Sequence, residues 1–356
     1  MKRTAPILLA AALLLTAACQ NTIRYEYDST DGQITILSQM NSAEELHSVI
    51  LSMSYPDRVE SLPGATVRCS VNGEVVEAEE EKVEGTRTRT YTRYWFDAAI
   101  HSGDQVRIEA VKGSLNASAT VTVPLPGEVS IQDTLTYTRH YESTSFFDDE
   151  PITWDVRELQ VKLGLKDIPK QDSYFVLRVM KVFNSRHVFL DDEGQRTRPD
   201  SLSVDVNDYY WSEHDPILDD GYFSSGEEGE GLMDFLLATN SMHCFSDQRF
   251  IDGEASVKVF LRADDYPVTD ATYAEVDIYL VAELLSVDRS FYNYLRALNN
   301  MEAYGYDVSM IIEPTMLPSN VQGGFGMVSA GAQAQTSLFL KHVRVEGGNG
   351  YYYWGY

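Results

Sequence analysis

Cations are scarce in this sequence. Its 356 residues hold 28 lysines and arginines against 54 aspartates and glutamates, a formal charge of −26. Affinity for nucleic acid comes largely from basic side chains that displace counterions from phosphates, so a chain of this sign is set apart from nucleic-acid binding. Cysteine is limited to Cys19, Cys69 and Cys244. Glycine and proline, at 23 and 12, are too few for a collagen-like chain, and a 44% hydrophobic content is too high for wholesale disorder. Beyond the N-terminus no stretch approaches the roughly eighteen apolar residues of a transmembrane helix.

Catalytic signatures are missing as well. There is no His-Glu-x-x-His, no Gly-x-Ser-x-Gly, no P-loop and no strand-anchored Gly-x-Gly-x-x-Gly, which removes the main support for the common motif-bearing enzymes. His47, His101, His140, His187, His214, His243 and His342 are dispersed, whereas zinc sites carry at least one close ligand pair. His243 and Cys244 are adjacent, but neighbours on a strand point to opposite faces. Calcium is the better metal hypothesis, with Asp219-Asp220-Gly221 and Glu227-Glu228 the densest set of hard oxygen ligands. That set lacks the EF-hand spacing, and a solvated acidic loop is its plainer reading. No catalytic, cofactor or metal residue is assigned.

What is present begins with Lys2 and Arg3, an apolar run over residues 7–15, and Thr16-Ala17-Ala18 before Cys19. This is the pattern of a signal peptide over residues 1–18. As a helix, residues 7–18 cover about 18 Å against a hydrocarbon core of ~30 Å, so they do not span. The placement of Cys19 after small residues resembles the lipobox of bacterial lipoproteins, with Thr16 standing where an aliphatic residue is usual. The resemblance implies that Cys19 is lipidated and that residues 19–32 form a tether from the membrane. Anchoring by two or more acyl chains is stable where one chain is marginal.

Short strands follow. Val67, Cys69 and Val71 alternate with polar Arg68 and Ser70, then Asn72-Gly73 supplies the two positive φ values of a type I′ hairpin before Glu74-Val75-Val76-Glu77. Val106, Ile108 and Ala110 alternate again, Lys112-Gly113 turns, and Ala117, Ala119, Val121 and Val123 return. Pro124, Pro126 and Gly127 end the region. Residues 33–127 are thus expected to form a small antiparallel, immunoglobulin-like β-sandwich. Residues 128–356 read as a larger β-rich domain, with strands at 174–183, 255–261 and 273–285. One main helix is expected at 289–303, capped by Asp288 and carrying Phe291, Tyr294, Leu295 and Leu298 on one face. A shorter helix is expected at 231–238. The whole is mostly β, in two sandwich-like domains. One cysteine falls in each domain and Cys69 lies on an apolar strand phase, so Cys69 and Cys244 read as buried free thiols, although an oxidising compartment permits a disulfide.

The C-terminus concentrates Tyr351, Tyr352, Tyr353, Trp354 and Tyr356. Rings with a polar handle suit half-wet contacts, which makes these five the candidate partner contact.

Several pieces together resemble the DUF4249 family of Bacteroidetes outer-membrane lipoproteins. They are Asp215-Pro216-Ile217-Leu218; Phe245-Ser246-Asp247 with Phe250 and Gly253; Glu283-Leu284-Leu285-Ser286 leading to Tyr292, Tyr294 and Leu295; Glu313-Pro314; and Ser319-Asn320-Val321 with Gly323-Gly324-Phe325-Gly326. Pro63-Gly64-Ala65 with Val67 resembles the opening strand of a carboxypeptidase-regulatory-like or transthyretin-like sandwich, which implies a transthyretin-like alternative for residues 33–127. Asp252 stands before Gly253 where the family often has Asn. The glycines at 323–326 read as tight backbone bends, since no helix pattern or lysine follows them as in a phosphate cradle. The resemblance implies an outer-membrane location, without deciding the leaflet, and the company of a TonB-dependent transporter. It implies no catalytic activity and no cofactor. The expected role is a non-catalytic binding or accessory module; an adhesin or structural envelope protein is the alternative, ahead of a carbohydrate- or peptide-active enzyme.

Overall fold

The computed structural model describes residues 32–56, 58–81, 91–143, 152–168, 171–212, 215–221, 240–267, 269–304 and 317–347. Cys19, the segment at 231–238 and the five C-terminal aromatics lie outside the described residues. Among the described residues the protein is mostly β, 62% strand and 6% helix. Its strands are β1 (Gln33–Asn41), β2 (Leu46–Ser54), β3 (Val59–Ser61), β4 (Thr66–Val71), β5 (Glu74–Glu77), β6 (Glu79–Glu80), β7 (Thr92–Asp97), β8 (Gln105–Lys112) and β9 (Leu115–Thr122). Then come β10 (Glu128–Ser143), β11 (Ile152–Lys166), β12 (Tyr174–Val188), β13 (Ser201–Asn207), β14 (Cys244–Ser246), β15 (Glu254–Arg262), β16 (Tyr273–Val287), the α-helix α1 (Arg289–Tyr304) and β17 (Phe325–Glu346).

Local chemistry sets several of these elements. Asn72 and Gly73 sit at φ 52° and 89°, so the β4–β5 turn has the backbone that Asn-Gly favours. Val67 and Cys69 point into the core from β4. Asp252 and Gly253 repeat the device at φ 53° and 80° between Ile251 and Glu254, whose backbones exchange two hydrogen bonds. Asp serves there as Asn does, because both tolerate the left-handed region. Helix α1 starts where Asp288 Oδ1 accepts from the backbone N–H of Ser290 at 2.8 Å and of Phe291 at 3.1 Å. An aspartate in that position satisfies amides that have no intrahelical partner.

The larger architecture depends on β17. One sheet runs β13-β12-β16-β17-β1-β2-β7-β6, and β17 joins its two halves. The first part of β17, from Phe325 to Gly331, pairs parallel to β1; from Ala332 onward it pairs antiparallel to β16. A four-stranded sheet β5-β4-β8-β9 faces the first half across a core that includes Ile36, Leu51, Cys69, Ile108, Val328 and Ala330. A three-stranded sheet β10-β11-β15 faces the second half across Val161, Leu163, Phe175, Leu177, Val259 and Leu284. The first core therefore draws Val321, Val328, Ala330 and Ala332 from the far end of the chain. Glycine permits the approach. A Cβ on Gly324 would lie 2.2 Å from the Ile34 carbonyl oxygen, and one on Gly323, 2.3 Å from that of Asn116. The glycines at 323–326 serve backbone packing.

Cys69 and Cys244 are both buried and free. Burial pushes both thiols up to about 12 from 9.0. The phenols of Tyr94, Tyr141 and Tyr292 are likewise pushed up to about 12 from 10.0, chiefly by burial. Below about pH 8 these five groups are neutral in both states. As pH rises toward 12 the unfolded chain releases protons that the folded chain retains, so folded stability falls across that window. Lys181 acts in the opposite sense. Burial lowers its ammonium to about 8 from 10.5, so between those values the unfolded chain holds a proton that the folded chain lacks, and stability rises. The urea midpoint should therefore climb slightly from pH 8 to 9 and fall steeply by pH 11. A midpoint unchanged to pH 11 would contradict the burial of these groups.

Candidate functional site

Two clusters bring polar and aromatic side chains together. The first surrounds α1. Tyr292 donates its hydroxyl to Asp220 Oδ2, the Arg296 guanidinium lies 3.6 Å from the same carboxylate, and Ser246 approaches its other oxygen through N–H at 3.4 Å and Oγ–H at 3.3 Å. Asn299, 1% exposed, donates to Asn240 Oδ1 at 2.8 Å and accepts from Met242 N–H at 2.9 Å. Asn240 in turn donates to the carbonyls of Leu218 and Cys244, both at 2.6 Å. Phe291, Tyr292 and Leu295 close over Cys244, Val287 and Met327. Every polar group here satisfies another, and the cluster fastens α1 and the turn at 215–221 to β14. Asp220 belongs to the acidic set that reads from sequence as a solvated loop, with calcium as the metal alternative, and its carboxylate is occupied by protein donors. Glu227 and Glu228 lie outside the described residues.

His243 does not share a strand with Cys244: it sits at φ 49° in the turn before β14, and the two side chains take different neighbours. The His243 ring stacks on Tyr210 at 4.4 Å, while Cys244 Sγ lies 3.8 Å from Asn299 Nδ2 on the helix side. Burial lowers the His243 imidazole below its ordinary value. Asp247 Oδ2 accepts from Ser173 N–H at 2.8 Å, and Gly127 N–H donates to Ser286 Oγ at 2.8 Å. The residues that carry the family resemblance thus hold elements together.

The second cluster lies on the face of β10-β11-β15 that turns away from the core. Leu159, Val161 and Leu163 point inward from β11, so period-two alternation sends Glu158 and Trp154 to the other face. On β10 the same alternation places Tyr137, Arg139 and Tyr141 there, opposite Glu158, Val156 and Trp154. Glu158 is nevertheless 0% exposed. Tyr137 and Tyr141 donate their hydroxyls to its two oxygens at 2.7 and 2.6 Å, and Arg139 Nε lies 3.1 Å from Oε2. Burial, then the bond to Glu158, raises both phenols, Tyr141 to about 12. The carboxylate accepts at both oxygens, and burial keeps the two phenols protonated as its donors. The arrangement fixes side chains in place.

What it fixes is a continuous aromatic strip. Tyr141 stacks on Trp154 with centroids 5.6 Å apart and planes 12° apart. The Arg139 guanidinium lies 5.9 Å from the Tyr141 ring and 5.7 Å from that of Phe260 on β15. Phe260 stacks on Trp211 at 6.1 Å, Trp211 pairs with it backbone to backbone, and Tyr209 follows at 6.0 Å. The ends are open, with Trp154 44% and Tyr209 68% exposed. Arg139 and Glu158 cancel formally, and Arg262 of β15 stands in register with Glu158 on the same face. Toward the other end of this face, Gly164 opens a depression of about 270 Å³ lined by Ser130, Gln132, Lys166 and Glu254. That is below the usual size of a small-molecule pocket.

The structure therefore offers a candidate face that the sequence reading did not single out. Its signal was the alternation Tyr137-x-Arg139-x-Tyr141, which marks one face of one strand. No curated protein matches this sequence. A model of a domain of unknown function matches residues 20–337, and by that match the chain belongs to the DUF4249 family.

Proposed function

We propose that the protein is a lipid-anchored outer-membrane module that binds and does not catalyse, working beside a TonB-dependent transporter through the aromatic strip on β10-β11-β15. The observation that carries the reading is the strip itself: flat rings with open ends, positioned by a carboxylate that accepts from two phenols and pairs with an arginine. Durable protein contacts rest on desolvated aromatic and arginine anchors, whereas exposed acidic loops are screened beyond about 8 Å at physiological salt. The leader with Cys19 supports the anchor, and the resemblance to outer-membrane lipoproteins supports the transporter as partner. Tyr351, Tyr352, Tyr353, Trp354 and Tyr356 remain a second proposed contact.

Two measurements test this. Cys19→Ala should move the protein from the membrane to the soluble fraction, and unchanged detergent partitioning would refute the anchor. Affinity purification from native membranes followed by mass spectrometry should recover a transporter. Trp154→Ala with Tyr209→Ala should reduce that recovery at least about 30-fold, the effect of losing ~2 kcal/mol at one hot spot, with little change in thermal midpoint. Undiminished recovery would place the interface elsewhere.

A further inference from the structure

Strand β13 ends the large sheet and, among the described residues, pairs with β12 alone. Its free edge carries no lysine, proline or bulge, the devices by which edge strands ordinarily avoid pairing with another chain. Leu202, Val204 and Val206 share one face and are 82%, 67% and 50% exposed. Ser201, Ser203, Asp205 and Asn207 share the other.

We propose that this edge binds the same edge of a second copy, antiparallel and centred on Val204, so that the sheet continues from one chain into the next. The strand is self-complementary in that register. Val204 faces Val204 of the second copy, Leu202 faces Val206, and Asp205 faces Ser203, a hydroxyl opposite each carboxylate. Centring on Asp205 would oppose two aspartates and set Leu202 against Asp208. Centring on Ser203 would set Val206 against Asp200. A shift by one residue would turn the apolar row of one copy onto the polar row of the other. In the Val204 register Asp200 meets Asp208 at each end, and both carry arginine partners of their own chain, Arg196 at 3.2 Å and Arg178 at 3.0 Å. A two-fold contact of this kind is isologous and closes on itself, so it stops at a dimer. Seven residues of strand make a small interface, which places the association in the weak, reversible class. The inference does not rest on the aromatic strip, although Tyr209 at one end of that strip follows β13 by two residues.

The test uses the full chain in detergent. Sedimentation should show monomer and dimer in exchange at tens of micromolar, with the dimer favoured as salt rises, because two chains of charge −26 repel each other until screened. Val204→Lys should leave circular dichroism unchanged and the sedimenting species monomeric. Val204→Cys should give a disulfide-linked dimer on mild oxidation beyond the background of the native cysteines, since facing residues have Cα atoms ~4.5–5.5 Å apart. Leu202→Cys should not, because the two copies of residue 202 lie roughly 13 Å apart along the strands. A monomer at 100 µM with no linkage through Val204→Cys would overturn the proposal. So would a dimer that Val204→Lys leaves intact, or equal linkage through Leu202→Cys.

Discussion

Replacing Gly326 by alanine is expected to lower the thermal midpoint by about 10 °C or more, or to prevent folding. Gly326 sits at φ +114°, where side-chain-bearing residues are strained, at a cost of about 1–3 kcal/mol. A Cβ there would also lie 2.0 Å from the Ile36 carbonyl oxygen and 2.8 Å from its carbon. Those are backbone atoms of β1, which is held between β2 and β17 and whose Ile36 is fully buried, so the clash has no easy relief. Overpacking adds about 1–3 kcal/mol, and the combined loss is a large share of a typical stability of ~5–15 kcal/mol. Gly113 provides the comparison. It has φ +61° with nothing within 4 Å of the point a Cβ would occupy, so Gly113→Asn should shift the midpoint by no more than a degree or two. If Gly326→Ala melts like the parent protein, β17 does not cross onto β1 as described.

The same strand shows why part of the fold was legible in the sequence and part was not. The turn at Asn72-Gly73 and the cap at Asp288 are read from adjacent residues, because the rule that selects them acts over two to four positions. The alternation of Val276, Ile278, Leu280 and Ala282 on β16 is read as easily, since one of its faces packs on a core and the other is partly wet. The start of β17 offers no such pattern. Met327 packs toward α1 while Val328, Ala330 and Ala332 pack into the first core, so consecutive residues from Met327 to Ala332 are all buried. Small residues there permit close approach and erase the period-two signal. The partner, β1, lies nearly three hundred residues away in the chain, and nothing local records that pairing.

The candidate site divides along the same line. The alternation of Tyr137, Arg139 and Tyr141 was available, and the exposure of Trp154 follows from its place near the tip of a hairpin. The burial of Glu158 was not available, because one carboxylate among 54 acids looks like any other until the phenols of the neighbouring strand close over it. Asp220 is the converse. Its acidic neighbours suggested a solvated loop, with calcium as the metal alternative, yet Tyr292 and Arg296 reach it from one face of α1, one helical turn apart.

Glu158→Ala is expected to cost about 3 kcal/mol. Removing one partner of a buried ion pair ordinarily costs ~3–5 kcal/mol, because the remaining charge stays desolvated. Arg139, with its side chain 30% exposed, recovers some hydration and brings the value to the low end, while the hydroxyls of Tyr137 and Tyr141 lose their acceptor. Replacing the whole group apolar for polar, as Tyr137→Phe, Arg139→Met, Tyr141→Phe and Glu158→Leu together, should restore most of the loss, since well-packed apolar substitutes for a buried pair are often neutral or better. Urea unfolding of the single, the quadruple and the parent protein measures both. Hydrogen exchange on residues 136–142 shows whether the loss is confined to the hairpin. A single-variant cost under about 1 kcal/mol would show that Glu158 is not closed off from water. A quadruple variant as unstable as the single would show that the hydroxyls, and not the charges, hold the hairpin. Partner capture separates positioning from chemistry: Glu158→Ala loosens Arg139 and Tyr141 and should weaken it, whereas the quadruple variant keeps rings at 137 and 141 and should retain more of it.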